Sequence, residues 1–202
     1  MPIKAIVFDM EGVLMKTKEN DFSASWAKAL GAPYDAVRAI FHGEMNDKAD
    51  LGVVTQSEFD RYLIQTLGLD EKMLPVVRRV VDEQCFIDWI LAERILTLKQ
   101  NYRIGLLSNY TDIMREKIEK EWKIKHLFHE IIISHEVGLI KPDPAIFDLM
   151  LSRLGVSPEN SVIIDDRSKN IEGARHYGMH AIRYRTREQA LNDLDQLLSS
   201  KK

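Results

Sequence analysis

The sequence predicts an α/β fold: a doubly wound, Rossmann-like parallel sheet with an α-helical domain inserted into it. Three observations carry that expectation. Short apolar, β-branched or leucine-rich runs recur along the chain, continuous rather than alternating, as strands buried on both faces require. Most of these runs are followed by polar residues and then a helical pattern, the rhythm of βα units. The stretch between the first and second runs is far too long for a simple crossover and reads as helical throughout.

In order, the first strand is expected over residues 3–8. Helices follow over 22–30, ending at Gly31, and over 34–41, ending near Gly43. Thr55-Gln56-Ser57-Glu58 is a capping box that opens a helix ending at Gly68. Helices over 74–86 and 89–100 complete the set, and residues 17–87 are expected to form a helical cap over a core of residues 1–16 and 88–202. The second strand is expected over 103–107, with a helix over 111–122. A third strand over 131–134 precedes a helix over 144–154, which starts after Lys141-Pro142-Asp143 and stops at Gly155. The fourth strand covers 161–164 and its helix about 166–177, stopping at Gly178. A fifth strand over 180–184 and a helix over 186–198, with Leu191, Leu194, Leu197 and Leu198 at helical spacing, close the pattern.

Bulk properties narrow the function classes. The 202 residues are 45% hydrophobic and 29% charged, ordinary for a globular chain with a sizeable core. A net charge of −3 gives no bulk basic field for nucleic acid or an anionic membrane. The basic run Arg183-Tyr184-Arg185-Thr186-Arg187 reads as a solvated strand end, and the six histidines lack metal spacing. A single cysteine, Cys85, excludes an intramolecular disulfide and paired-cysteine zinc sites, and reads as a small buried hydrophobe. With no signal-peptide pattern and no apolar run near the ~18 residues a bilayer span needs, the cytoplasm is the expected compartment.

In open parallel sheets, ligands bind beyond the carboxyl ends of the strands, near the point where strand order reverses. Four polar clusters stand at such ends. The first strand runs into Asp9-Met10-Glu11-Gly12, and the second into Ser108-Asn109. The third is followed by Gly138 to Pro144 with Lys141 inside, and the fourth ends in Asp165-Asp166. Taken singly, each has a structural explanation as a turn acid, a helix cap or a solvated lysine. Together they suit phosphoryl transfer: a carboxylate can attack phosphorus, and the phosphate needs a cation, a lysine and hydrogen-bond donors. Magnesium favours one or two carboxylates with water and substrate oxygens, which Asp9, Asp165 and Asp166 supply in part. Gly12 lets the backbone turn sharply beside a ligand.

These segments resemble the four motifs of the haloacid dehalogenase superfamily. Val7 to Leu14 is similar to its first motif, Leu106 to Asn109 to its second, Gly138 to Phe147 to its third, and Ile163 to Met179 to its fourth. The resemblance implies a helical cap after the first motif and, as function, magnesium-dependent hydrolysis of a small phosphorylated molecule such as a sugar phosphate. It implies Asp9 as nucleophile and metal ligand, with the backbone carbonyl of Glu11 also on the metal. Gly12, Ser108, Asn109 and Lys141 would bind the transferred phosphoryl group, and Lys141 would also orient Asp9. Asp166 would ligate magnesium directly, with Asp165 beside it directly or through water; Asn170 would support that loop. The chain departs from the family's phosphatases at Glu11, where an acid/base Asp is usual. The alternatives are a 2-haloacid dehalogenase, disfavoured by the Asp165-Asp166 pair, and a catalytically weakened or inactive binding protein. Trp26, Arg38, His42, Arg61 and Trp89 are of types that contact substrate from a cap, yet their spacing fits helix packing equally well. Oligomeric state is not legible.

Overall fold

The computed structural model describes residues 2–19 and 21–200. The elements are, in chain order, β1 (Ala5–Phe8), β2 (Met15–Thr17), α1 (Phe22–Leu30), α2 (Tyr34–Phe41), α3 (Glu44–Asp50), α4 (Gln56–Thr66), α5 (Leu74–Gln84) and β3 (Cys85–Ile87). They continue with α6 (Trp89–Leu98), β4 (Arg103–Ser108), α7 (Ile113–Glu116), β5 (Glu130–Ile133), α8 (Ser134–Val137) and α9 (Pro144–Leu154). The last are β6 (Ser161–Asp165), α10 (Ser168–His176), β7 (His180–Arg183) and α11 (Arg187–Ser200).

Five strands form one parallel sheet in the order β5-β4-β1-β6-β7. From β1 the chain winds outward through β4 and β5, then returns and winds the other way through β6 and β7. The order therefore reverses between β1 and β6, where a crevice opens at the carboxyl edge. Alternate side chains serve the two faces. Ile6 and Phe8 join Leu91 and Ile95 of α6 and Leu194 of α11, while Ala5 and Val7 join Ile146, Phe147 and Met150 of α9. Each such apolar side chain, once fully buried, contributes roughly 1.5–3 kcal/mol. This two-sided burial is why the strands read as continuous apolar runs.

The helices between β1 and β4 build a third core, in which Trp26, Val37, Ile40, Phe59, Leu63 and Val77 are buried together. Phe41 links it by ring contacts, 5.1 Å from Phe22, 5.1 Å from Trp26 and 5.6 Å from Phe59. Asp21 caps α1 by accepting from Ala24 N at 2.7 Å, and Gly31 ends it at φ 64°. The capping box of α4 forms as expected, Thr55 and Glu58 satisfying each other's backbone N–H.

The structure corrects the expected elements in three places. Residues 85–86 are not the end of a helix: Cys85–Ile87 pairs antiparallel with Met15–Thr17, so the two chain crossings between the sheet and the helices run side by side as a ribbon. The expected helix over 111–122 is a short α7 followed by a π-helical turn, Lys117–Glu121. Lys117 is 5% exposed, and its ammonium contacts Asp82 of α5 and Glu121 (3.0 Å), so the wider turn carries a buried cation to its partners. Helix α3 falls in the stretch read as helical, but no helix was assigned to its residues. Cys85 is half-buried, and burial pushes its thiol up to about 12.

Candidate active site

The pairing of β1 with β6 continues one residue past Phe8, Asp9 N donating to Ile164 O at 2.9 Å. This sets Asp9, 5% exposed, at the crevice where strand order reverses. The chain then turns tightly, Met15 N reaching back to Met10 O at 2.7 Å. Gly12 sits in this turn at φ 76°, and a Cβ there would lie 2.5 Å from Asp166 Oδ2. Glycine is thus required both by conformation and by the carboxylate packed on it.

Lys141 is the hub. Its ammonium, 1% exposed, donates to Asp9 Oδ1 at 2.7 Å, to Asp165 Oδ2 at 2.7 Å and to Leu107 O at 2.8 Å, which uses all three protons. Burial alone would lower its pKa, but the charges of Asp165 and Asp9 and their hydrogen bonds outweigh it and hold the ammonium ionised. The long side chain enters the interior because its backbone is fixed at both ends. Asn109 Oδ1 accepts from Lys141 N at 2.8 Å, and Asn109 Nδ2 donates to Lys141 O at 2.9 Å. Behind the cis Lys141-Pro142 bond, α10 approaches so closely that a Cβ on Gly173 would lie 2.5 Å from Pro142 Cβ. The side chain of Asn109 thus holds Lys141 with Oδ1 and one Nδ2 proton, and it also lines the cavity.

One oxygen from each of Asp9, Asp165 and Asp166 lies within 4.8 Å of the others. Their surroundings differ. Asp165 is saturated, accepting from Lys141, from Arg167 N (2.8 Å) and from Asn170 Nδ2 (3.0 Å to each oxygen). Asp166 Oδ1 and Ser108 Oγ are buried without a partner among the described residues. Burial pushes Asp9 up to about 8 against the pull of Lys141, with Asp165 and Asp166 adding to the rise. Burial likewise raises Asp166, with Asp165 next. Buried polar atoms are rarely left unsatisfied, and three crowded carboxylates want a cation. The donor set, all oxygen, suits a hard divalent ion such as magnesium, and Asp166 is the carboxylate with an oxygen to offer it.

Residues 3–178 match the haloacid dehalogenase-like hydrolase family. The chain belongs to that family. A glyceraldehyde 3-phosphate phosphatase of Methanothermobacter thermautotrophicus is 38% identical over 200 residues, covering 89% of this chain and 84% of that protein. A second one, of Methanopyrus kandleri, is 45% identical over 73 residues, 33% of this chain and 31% of that protein. Among solved structures, a haloacid dehalogenase family enzyme of Bacteroides thetaiotaomicron, in complex with magnesium and inorganic phosphate, shares the fold at a TM-score of 0.73 and 22% identity, covering 91% of this chain and 94% of that one.

In this haloacid dehalogenase-like hydrolase three of the four clusters, through Glu11 and Gly12, Asn109, and Asp166, line a cavity of about 1030 Å³ between the sheet edge and the helices, while Lys141 lies buried behind it. Glu11 lines it, Oε1 lying 3.4 Å from Arg167 Nη2. Burial raises the Glu11 pKa, Arg167 opposing. Of the side chains singled out between β1 and β4 and at α6, Trp26, Arg38 and His42 line the cavity; Arg61 and Trp89 do not. Three residues escaped the sequence reading. Lys16 lies just past the first motif and Arg167 at an unspecified position inside the fourth, and Asp50 lies on α3; all three line the cavity. Asp50 is 8% exposed, with Asn46 Nδ2 at 3.1 Å, and burial followed by the charge of Glu11 pushes it up to about 7. Arg183, Arg185 and Thr186 are exposed, as expected of a solvated strand end, and with the buried Tyr184 they also line the cavity, while Arg187 grips Asp88 at 2.7 and 2.8 Å. Among the described residues, no helix is long and apolar enough to cross a membrane.

Proposed function

We propose that the chain is a magnesium-dependent phosphatase of small phosphomonoesters, phosphorylated carbohydrates among them, working through an aspartyl-phosphate on Asp9. One observation carries this reading: the buried Asp9 carboxylate is held at Oδ1 by Lys141, while the neighbouring Asp166 and Ser108 keep oxygens without partners. The names of the related phosphatases point the same way.

Lys141 orients Asp9 and leaves its Oδ2 to attack phosphorus. Ser108 donates to a phosphoryl oxygen. Glu11 gives its proton to the departing ester oxygen, then takes one from the water that attacks the aspartyl-phosphate, which releases phosphate and restores Asp9. A raised pKa suits the first of these steps. Asp9, Asp166 and the Glu11 carbonyl would hold magnesium, with the saturated Asp165 acting through water, and the ion would supply positive charge against the phosphoryl oxygens when bound. Residues 17–87 act as a cap, joined to the core through the β2–β3 ribbon, that closes over the leaving group and excludes water.

Phosphate release from p-nitrophenyl phosphate and a panel of sugar phosphates, with magnesium or chelator, beside Asp9→Asn, tests the reading. Release that needs magnesium and is lost in Asp9→Asn is expected. Release indifferent to both, or metal-free halide release from a 2-haloacid, would overturn it.

A further inference from the structure

The cavity carries cationic charge that the reaction above leaves unused. Lys16 lies on β2, only partly exposed, and its ammonium donates to the Gly12 carbonyl and sits 3.8 Å above the Tyr184 ring. It forms no ion pair among the described residues, and two of its three protons are uncommitted. Arg183 and Arg185 flank Tyr184 in sequence and line the same cavity, again without an ion pair among the described residues. So do Arg38 from α2 and Lys169 from α10. The buried Trp26 Nε1, in the same wall, donates to nothing among the described residues. Arg167, by contrast, is engaged by Glu11.

Like charges gathered in one cleft repel, and their field concentrates anions there. The same cavity is lined by four acids, Glu11, Asp21, Asp50 and Asp166, so with Arg167 six cations stand against four acids, an excess of positive charge in a chain of net charge −3. Cations and N–H donors together call for an acceptor-rich anion. The transferred phosphoryl group does not account for them, because the reaction proposed above serves it with Ser108 and a magnesium ion at Asp166 and gives these five cations no part. Gly12 places the second site: its carbonyl holds Lys16, while its Cα packs on the Asp166 carboxylate. The ammonium is thus one small residue from the phosphoryl site, within reach of a short substrate.

We propose that Lys16, with Arg183 and Arg185 at the rim, forms a second anion subsite, and that the substrate is a phosphomonoester bearing a further carboxylate or phosphate on its leaving-group side. This rests on the phosphatase reading and adds a specificity-determining residue to it.

The test uses matched pairs with magnesium present: glyceraldehyde 3-phosphate against 3-phosphoglycerate, and glucose 6-phosphate against fructose 1,6-bisphosphate. Wild type is expected to favour an anionic member in kcat/KM, and which pair shows the preference tells carboxylate from phosphate. In Lys16→Met the anionic-to-neutral ratio is expected to fall about tenfold or more, through KM, as loss of a charge-assisted hydrogen bond implies. Lys16→Arg should keep much of the ratio. Calorimetric binding of the same four compounds gives a readout free of turnover. Tighter binding of an anionic member that Lys16→Met abolishes, with no hydrolysis, supports the subsite and removes the phosphatase reading. Hydrolysis without preference for either anionic member, or a ratio unmoved by Lys16→Met, overturns the subsite and leaves the phosphatase standing.

Discussion

Replacing Lys141 by methionine removes the ammonium that Asp9 and Asp165 share, and the structure sets the size of the effect. All three groups are buried, Lys141 at 1% and Asp165 at 0% exposure, with both contacts at 2.7 Å. Removing one partner of a buried pair typically costs ~3–5 kcal/mol, because the remaining charge keeps no compensation. Asp9 already stands near 8 with the lysine in place. At pH 7 Asp9 is therefore protonated most of the time already, and the charge left without compensation is chiefly that of Asp165, so the cost should lie toward the lower end, about 3 kcal/mol. For a chain of this length that is a fall in Tm of roughly 6–12 °C. Magnesium brings positive charge to the same carboxylates, and at a hundredfold excess over its Kd it returns about 2.7 kcal/mol. The assay is urea denaturation at pH 7 with magnesium or chelator, alongside phosphate release. A variant within 1 kcal/mol of wild type in chelator would refute the argument that Lys141 compensates buried carboxylate charge. Release is expected to fall at least about a hundredfold, because Asp9 loses its orienting contact.

Four further outcomes follow. Ser108→Ala should leave stability within about 0.5 kcal/mol, since the hydroxyl has no partner to lose, yet weaken competitive inhibition by inorganic phosphate roughly tenfold or more. Asn109→Ala loses both hydrogen bonds to the Lys141 backbone; about 1–3 kcal/mol of stability and on the order of a hundredfold in kcat should go, with KM nearly constant in steady-state kinetics. Asp50→Asn tests a buried acid whose pKa rises from an ordinary 3.8 to about 7 on folding. The wild type's protonated Asp50 carries no penalty below pH 4, and the penalty grows as pH rises through 7, so the variant's gain in Tm should be absent at pH 4 and largest at pH 8, bounded by roughly 4 kcal/mol. Glu11→Gln keeps the length of the side chain but exchanges no proton; release should fall about 10²- to 10⁴-fold, with phosphorylated Asp9 trapped and visible by mass spectrometry.

The parts legible in the sequence are those whose physics is local. Strands buried on both faces must be continuous apolar runs, so all five were found, and the capping box and Gly31, Gly68 and Gly155 marked helix ends through backbone needs. Asp9, Ser108, Lys141 and Asp165-Asp166 were legible because each follows a strand, and a parallel sheet brings such positions to one edge. What stayed hidden depends on distant partners. The ribbon of β2 and β3 has three residues a side, too few to show a period. Helix α3 reads Glu-Met-Asn-Asp-Lys-Ala-Asp, with no apolar stripe to announce it, so Asp50 went unnoticed. The turn at Lys117 is set by Asp82, and the function of Asn109 by the backbone of Lys141, 32 residues away.

Position 11 shows how the fold absorbs a departure from the family's usual aspartate. The longer side chain of Glu11 reaches 3.4 Å from the guanidinium of Arg167, the residue directly after Asp166. Arg167 is only partly exposed; burial opposes its charge, but Glu11, Asp9 and Asp166 raise its pKa further, so it stays a cation throughout the useful pH range. Two opposing pulls therefore meet on Glu11: burial favours the protonated acid and Arg167 the carboxylate. A general acid needs the first state and a general base the second. An aspartate, one methylene shorter, would meet the same burial without the same reach to Arg167. Glu11, Arg167, Asp50 and Arg38 all line the same cavity. In the phosphatase proposed above, a substrate would displace Arg167 from Glu11 or bind beside the pair, and a pH profile of release that shifts in Arg167→Met would tell the two apart.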